Sequence, residues 1–280
     1  MEILNLKVSP ALLRHWVDWL APDKQPFYLT AKQLRLWKLE QDDTEPDRQL
    51  RDTYRTYNLD SRLRSTWLDE ATFMNLPQAT RAALVRAQLV NGRAAVPSVR
   101  RWRTDLAPEI RSQADGHRFV WWRSLLRGTR AAEVLPSIVS EGLHPSRHRE
   151  VSSWPKLLPR ARELAGTWPD GSGPNCFGTV MAAAGVDGAA ETWMQREPFE
   201  LWLADNTTRG GRDDVPGTVF VWRDTSSHLV QHAAVTLGAG YMLHKPSQSW
   251  ATPRKVRTVS EVRRSTRTAG WHLERHSLLG

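Results

Sequence analysis

The sequence contains a single cysteine in 280 residues, so no disulfide can form within the chain. It has no apolar stretch close to the roughly 18 residues that a membrane-spanning helix needs. Its first ten residues also lack the basic and apolar regions of a secretory signal peptide. From these absences we expect a protein of a reducing compartment, the cytoplasm, with no membrane partner.

Lysine is scarce relative to arginine, and basic residues outnumber acidic ones. The chain has 39 basic and 30 acidic residues, a formal net charge of +9, and only seven of the basic residues are lysines. Such a charge favours nucleic-acid binding, but the arginines are dispersed and no known nucleic-acid-binding motif occurs. A nucleic-acid partner is therefore not expected. No cysteine–histidine cluster is present, so no metal or other cofactor is expected, and the oligomeric state stays open.

Amphipathic helical patterns dominate the first part of the chain. Residues 10–21 follow Ser9, a good N-cap, with Pro10 at the first helical position, and residues 78–90 repeat the pattern. Strand-like runs appear only later in the sequence. We therefore predict an α+β protein with a helical N-terminal region over residues 1–115 and a second domain over residues 116–280.

The only cysteine lies in the stretch Gly-Pro-Asn-Cys-Phe-Gly-Thr-Val, residues 173–180. Asn175 is a good N-cap, a small apolar run follows, and Gly185 is a stop signal. Cys176 is thus predicted at the first position of a short helix. Unpaired N–H groups and the helix dipole there favour a thiolate. A cysteine buried in a core is the alternative that this stretch leaves open.

Two apolar runs further along the chain indicate a β-hairpin. Residues 229–237 and 241–246 are joined by Gly-Ala-Gly, a connection typical of antiparallel hairpins. The simplest register places Leu237 opposite Tyr241.

In that register His244 lies opposite Ala234 and is the diagonal neighbour of His232 on the same face. Such neighbours are about 7–8 Å apart, so the two imidazoles can interact. A thiol at a helix start, a histidine on the adjacent sheet and a second polar group behind it are typical of thiol–imidazole catalysis.

Three motifs in this order resemble the NlpC-type family of papain-fold cysteine peptidases. They read Asn-Cys-Phe-Gly-Thr-Val, Pro-Gly-Thr-Val-Phe-Val-Trp and His-Ala-Ala-Val-Thr-Leu-Gly-Ala-Gly-Tyr-Met-Leu-His. The family has Asp-Cys-Ser-Gly, Gly-Asp-Leu-Val-Phe, and His-Val-Gly-Ile-Tyr-Leu-Gly-x-Gly followed by a further His. The similarity spans residues 168–262. It implies a papain-like catalytic domain with Cys176 as nucleophile, His232 as base and His244 as third polar residue.

The chain departs from this pattern at several positions. Asn175, Phe177 and Thr218 stand where the family has Asp, Ser and Asp, and the tyrosine that precedes the family's nucleophile is missing. In the family these positions help to hold peptidoglycan peptides, which makes a different substrate an expectation here. We assign substrate binding to three residues, Asn175, Trp168 and Gln231. Gln231 or Gln248 becomes the third catalytic residue if the hairpin register differs.

The resulting prediction is a thiol-dependent amidase, peptidase or acyltransferase. It would act through a Cys176 thioester on a small peptide-like or amide substrate. Within the same superfamily, a peptidoglycan endopeptidase, a toxin-type wall hydrolase and an acyltransferase of the lecithin retinol type are alternatives. A catalytically silent papain-like scaffold with a helical interaction module is an alternative from a different class.

Overall fold

The computed structural model describes residues 1–102, 106–113 and 116–280, which form a mixed α+β structure. The helices in this part of the chain are α1 Pro10–Leu20, α2 Ala31–Trp37, α3 Arg48–Tyr54, α4 Glu70–Asn75, α5 Gln78–Val90, α6 Ala107–Gln113, α7 Arg130–Val139, α8 Ala161–Leu164, α9 Cys176–Ala183, α10 Arg196–Asn206 and α11 Val259–Ser265. The strands are β1 Glu2–Ile3, β2 Leu6–Lys7, β3 Lys24–Leu29, β4 Arg64–Asp69, β5 Thr207–Arg209, β6 Thr218–Asp224, β7 Val230–Gly238, β8 Tyr241–His244, β9 Lys255–Thr258 and β10 Trp271–Leu278. Within the described ranges, every helix is too short or too polar to cross a membrane.

The chain folds into two compact units, residues 9–138 and residues 1–8 with 139–280. The expected domain boundary at residue 115 lies outside the described residues. The first unit continues past it because Val120 and Trp122 belong to the same apolar core as Phe27 and Leu84.

The first unit is helical, as predicted, but it also contains two paired strands. The Ser9 side chain caps α1 by accepting a hydrogen bond from Leu12 N at 3.1 Å, which confirms the predicted helix start. The antiparallel pairing of β3 with β4 was not predicted from the sequence. Pro26 within β3 removes one ladder donor and weakens the strand signal of this segment.

The second unit is built on a six-stranded antiparallel sheet in the order β5-β10-β6-β7-β8-β9. Helices α8, α9 and α10 bury their apolar residues against one face, in a core that includes Val180, Phe199 and Val235. Helix α11 contributes to a smaller core with Phe220 and Ala234. The sheet is therefore covered by helices on both faces, and neighbouring residues of β7 belong to different cores.

The first eight residues belong to this second unit, although they precede the helical region in sequence. Ser146 N donates to Leu4 O at 2.9 Å, and Asn5 Nδ2 donates to Ser146 O at 3.1 Å. Arg149 pairs with both carboxylate oxygens of Glu2, at 3.0 and 2.7 Å. The chain thus starts in the unit that contains the candidate site.

Candidate active site

Helix α9 begins at Cys176, as the sequence predicts. Asn175 has extended backbone geometry, and its Oδ1 accepts a hydrogen bond from Gly178 N at 3.0 Å. Its Nδ2 donates to Met194 O at 2.7 Å. Both ends of the Asn175 amide are therefore engaged within the protein, and an aspartate could not make the second bond. This geometry gives Asn175 a positioning role, whereas the sequence suggested substrate contact.

Close packing holds the start of α9 in place. A Cβ atom at Gly178 would collide with the carbonyl oxygen of Ala189, so the segment after the helix can approach only because this residue is glycine. The Met194 carbonyl that receives the Asn175 amide lies in the same region of the chain. The start of α9 is therefore held by the close approach of Ala189 to Gly178 and by the hydrogen bond from Asn175 to Met194.

The Cys176 thiol is buried, with 7% of the residue exposed. Its surroundings include the main-chain N–H groups of Ala233, Phe177 and Cys176 itself, and the Lys245 ammonium, all of which lower its pKa. Burial outweighs them and raises the pKa of the thiol to about 11. The pKa is therefore shifted in the direction opposite to the one that the helix position predicts, because burial disfavours the charged thiolate more than the N–H groups stabilise it.

The two histidines of the predicted site meet on the β7–β8 hairpin. Val235 lies opposite Leu243 and Thr236 opposite Met242, as predicted, whereas Gly238 rather than Leu237 lies opposite Tyr241. An extra residue at the turn absorbs this difference, so the register further along the strands is unaffected. The hairpin thus brings His232, which precedes these pairs on β7, close to His244, which follows them on β8.

The imidazoles of His232 and His244 lie edge to face, with ring centroids 6.0 Å apart. The Trp222 ring packs on His232 from the neighbouring strand, at 5.4 Å. Burial lowers the pKa of His232 to about 4. Burial also brings the pKa of His244 well below its usual value, and the positive charges of Lys255 and Arg257 lower it further. Both rings are therefore neutral at pH 7.

The thiol contacts β7 immediately beside His232. The N–H group that lies next to the sulfur belongs to Ala233, the following residue. Within the described part of the chain, no hydrogen bond joins the Cys176 thiol to either imidazole. Ala233 packs in the same core as Cys176, whereas His232 pairs with Trp222 on the face of the sheet that α11 covers. The structure therefore places the thiol and the histidine pair on opposite faces of the sheet and does not align them for proton transfer.

A buried lysine organises the loop after β8, and sequence reasoning did not identify it. Lys245 Nζ donates to Ser247 O at 2.6 Å, to Ser249 O at 2.9 Å and to Thr252 Oγ1 at 3.0 Å. This loop in turn holds the segment before Cys176, because Gly173 N donates to Gln248 O at 2.8 Å. Lys245 therefore supports the position of the thiol and adds a positive charge near it.

The remaining predicted residues take different places. Trp168 is buried in the segment before α9. Gln231 is the extra residue of a bulge in β7, where Trp222 pairs with His232 and Arg223 with Val230. Its side chain is half-buried and donates to Leu229 O at 3.3 Å. Gln248 contributes its main-chain carbonyl, which accepts the hydrogen bond from Gly173 N.

A cavity of about 360 Å³ lies beside the histidine pair. We call it the basic cavity; the residues that line it are Gly142, Leu143, His144, Gln231, His232, His244, Pro246, Lys255, Arg257, Ser265, Thr266, Thr268 and Trp271. Gln231 thus shares a cavity with both histidines. Lys255, Arg257 and His144 are additional residues of this region that the motifs did not indicate.

Comparison with protein families, with curated proteins and with solved structures found no match to this chain. The assignment of a function therefore depends on the geometry of the site and on the motif resemblance.

Proposed function

We propose that this protein is a papain-like, thiol-dependent amide hydrolase or acyltransferase. Cys176 is the nucleophile, His232 the general base and acid, and His244 the residue that positions His232. One observation supports this proposal above the others. The Cys176 thiol lies at the start of α9 and packs against β7, the strand whose opposite face carries the His232–His244 pair.

The Cys176 thiol and the imidazoles of His232 and His244 are all neutral at pH 7. A thiol with a raised pKa beside imidazoles with lowered pKa values does not form a thiolate–imidazolium pair at pH 7. Proton transfer therefore accompanies substrate attack, and it requires a rearrangement of β7 that brings His232 to the face that α9 covers, because the ring and the sulfur lie on opposite faces of the sheet. Catalytic hydrogen bonds that are absent from a free enzyme and form in its substrate complex are common.

The reaction proceeds in two acyl-transfer steps. In the first, the Cys176 sulfur bonds to the acyl carbon while its proton passes to His232. His232 then returns this proton to the leaving nitrogen as the carbon–nitrogen bond breaks, leaving a thioester. In the second, water, an amine or an alcohol attacks the thioester and gives its proton to His232. The carbon–sulfur bond then breaks, and His232 returns the proton to the Cys176 sulfur. The N–H of Cys176, which has no intrahelical partner at the first helical position, stabilises the oxyanion.

Acylation of Cys176 by a generic donor tests this proposal. The intact protein is incubated with p-nitrophenyl acetate, and the acetylated peptide is located by mass spectrometry. We expect acetyl-Cys176 in the wild type, none in Cys176→Ala, and at least about a hundredfold slower acetylation in His232→Ala. His228→Asn, which changes an exposed histidine of the loop between β6 and β7, is the matched control and should behave as wild type.

A catalytically silent scaffold is the second candidate, and the burial of the Cys176 thiol favours it. In that case the wild type acquires no acetyl group at Cys176, or the rate of acetylation is the same in wild type and His232→Ala. Either result would reject the thiol–imidazole mechanism.

A further inference from the structure

The two charged side chains that line the basic cavity, Lys255 and Arg257, are both positive. The cavity wall carries His144, His232, His244, Lys255 and Arg257, and none of the described residues that line it is a carboxylate. We infer that the basic cavity binds an oxyanion group, a carboxylate or a phosphate carried by a small ligand. Cys176 is not among the lining residues, but His232 and His244 are, so the inference shares these two histidines with the proposed function and is tested by binding rather than by turnover.

Lys255 is the first observation that points to an anion. The residue is only 2% exposed, and among the described residues its ammonium makes one long hydrogen bond, to His144 O at 3.4 Å. Burial lowers its pKa to about 8, and the nearby Arg257 contributes in the same direction. A buried ammonium needs a partner of opposite charge to offset its lost hydration. An oxyanion in the cavity would supply that partner.

His244 is the second observation. It is 5% exposed, and among the residues that the structure describes neither of its ring nitrogens has a hydrogen-bond partner. A neutral imidazole always carries one N–H donor, and leaving it unpaired in a buried place is unfavourable. The ring lines the same cavity as Lys255, which lies opposite it on the adjacent strand. An anion between these two side chains would accept hydrogen bonds from both.

The carboxylate that pairs with Arg257 lies outside the cavity wall. Arg257 Nε donates to Glu261 Oε2 at 3.0 Å, and Arg147 Nε lies 3.3 Å from the same oxygen. Arg147 also pairs with Glu150 at 2.9 Å, so two guanidinium groups face two carboxylates, and neither carboxylate is part of the cavity wall. The cavity retains a positive potential toward an entering anion.

Anion binding to the full-length protein tests the inference without any turnover. Phosphate and acetate are titrated by isothermal titration calorimetry at constant ionic strength near pH 7. We expect binding with a dissociation constant in the range of about 1–10 mM for the better of the two anions. Tighter binding of phosphate identifies a phosphoryl ligand, and tighter binding of acetate a carboxylate ligand.

Lys255→Met should weaken binding at least about tenfold, because a charged hydrogen bond is lost while the aliphatic stem is kept. Lys156→Met, the same change at an exposed lysine, is the matched control. Wild-type binding should also weaken above about pH 8, where Lys255 loses its proton while His232 and His244 are already neutral.

Two results would overturn the inference: no binding of either anion up to about 50 mM, or binding that Lys255→Met leaves unchanged. If Lys255→Met does not fold, Arg257→Gln takes its place and must weaken binding. Cys176→Ala must bind as tightly as wild type, so failure of the thiol mechanism does not affect this result.

Discussion

Burial raises the pKa of the Cys176 thiol, whereas its position at the start of a helix lowers that pKa. The start of α9 supplies N–H groups and a positive dipole, which the sequence reveals through Asn175 and the apolar run after it. The degree of burial comes from the 189–194 segment and from β7, which are distant in sequence. Sequence reasoning could therefore find the residue and its helical position but not the direction in which its pKa is shifted.

At the scale of this residue, alkylation by iodoacetamide should be slow at neutral pH. With a pKa of about 11 against an ordinary 9.0, the thiolate fraction near pH 7 is about a hundredfold lower than that of free cysteine. The rate should rise about tenfold per pH unit up to about pH 10 and should be the same in His232→Ala, because the ring is already neutral. Alkylation at pH 6 that is faster than that of free cysteine would instead demonstrate a preformed ion pair.

At the scale of the elements, the β7–β8 hairpin shows which features local sequence can predict. The Gly-Ala-Gly connection and the flanking apolar runs predict the pairing of Val235 with Leu243, and the structure confirms it. The bulges at Leu237 and Gln231 have no local signal, because they depend on how β7 fits between two neighbouring strands.

Long-range pairing is the part of the fold that the sequence leaves undetermined. Strands β3 and β4 are paired although two helices separate them in sequence. Nothing in the side-chain pattern of either strand indicates that the other is its partner. The basic cavity also depends on pairing between strands. Lys255 and Arg257 lie on β9, beyond the motif that ends at His244, and they reach the histidines only through sheet pairing.

The buried histidines of this hairpin should make the fold acid-sensitive. On folding, the pKa of His232 falls from 6.5 to about 4, and that of His244 also falls. The unfolded chain then binds more protons, so stability is fully present above about pH 6.5 and is lost as the pH falls toward 4. For His232 the loss amounts to about 3 kcal/mol.

Urea unfolding at pH 7 and near pH 4.5 measures this effect. The double variant His232→Gln, His244→Asn should lose clearly less stability between the two pH values than wild type, whereas His228→Asn should not differ from wild type. Glu261 and Glu274 have lowered pKa values, so their contribution disappears only below about pH 4.5. His148 and His276 act in the same direction as the hairpin pair and remain in the double variant. An equal loss in all three proteins would show that the hairpin histidines are not buried as neutral rings.

At the scale of the whole molecule, the order of the chain and the division into units do not coincide. Residues 1–8 join residues 139–280, while residues 9–138 form a unit of their own. Composition and periodicity indicated a helical first part and a sheet-containing second part. They could not show that the first eight residues belong to the second, since two-residue strands such as β1 and β2 have no detectable period.

Leu6→Ala tests this division. Leu6 is 1% exposed, so its truncation should cost about 2–5 kcal/mol, and the cost should fall on the unit that contains the six-stranded sheet. Hydrogen exchange followed by mass spectrometry should show faster exchange in β6 and β7 and unchanged exchange in β3 and β4. Lys7→Ala, at the neighbouring exposed position, is the control and should exchange as wild type. Faster exchange in β3 and β4 with none in β6 and β7 would place the first eight residues in the helical unit. Because the Cys176 thiol contacts β7, Leu6→Ala should also speed its alkylation through local opening, although Leu6 itself belongs to a strand far from the motif in sequence.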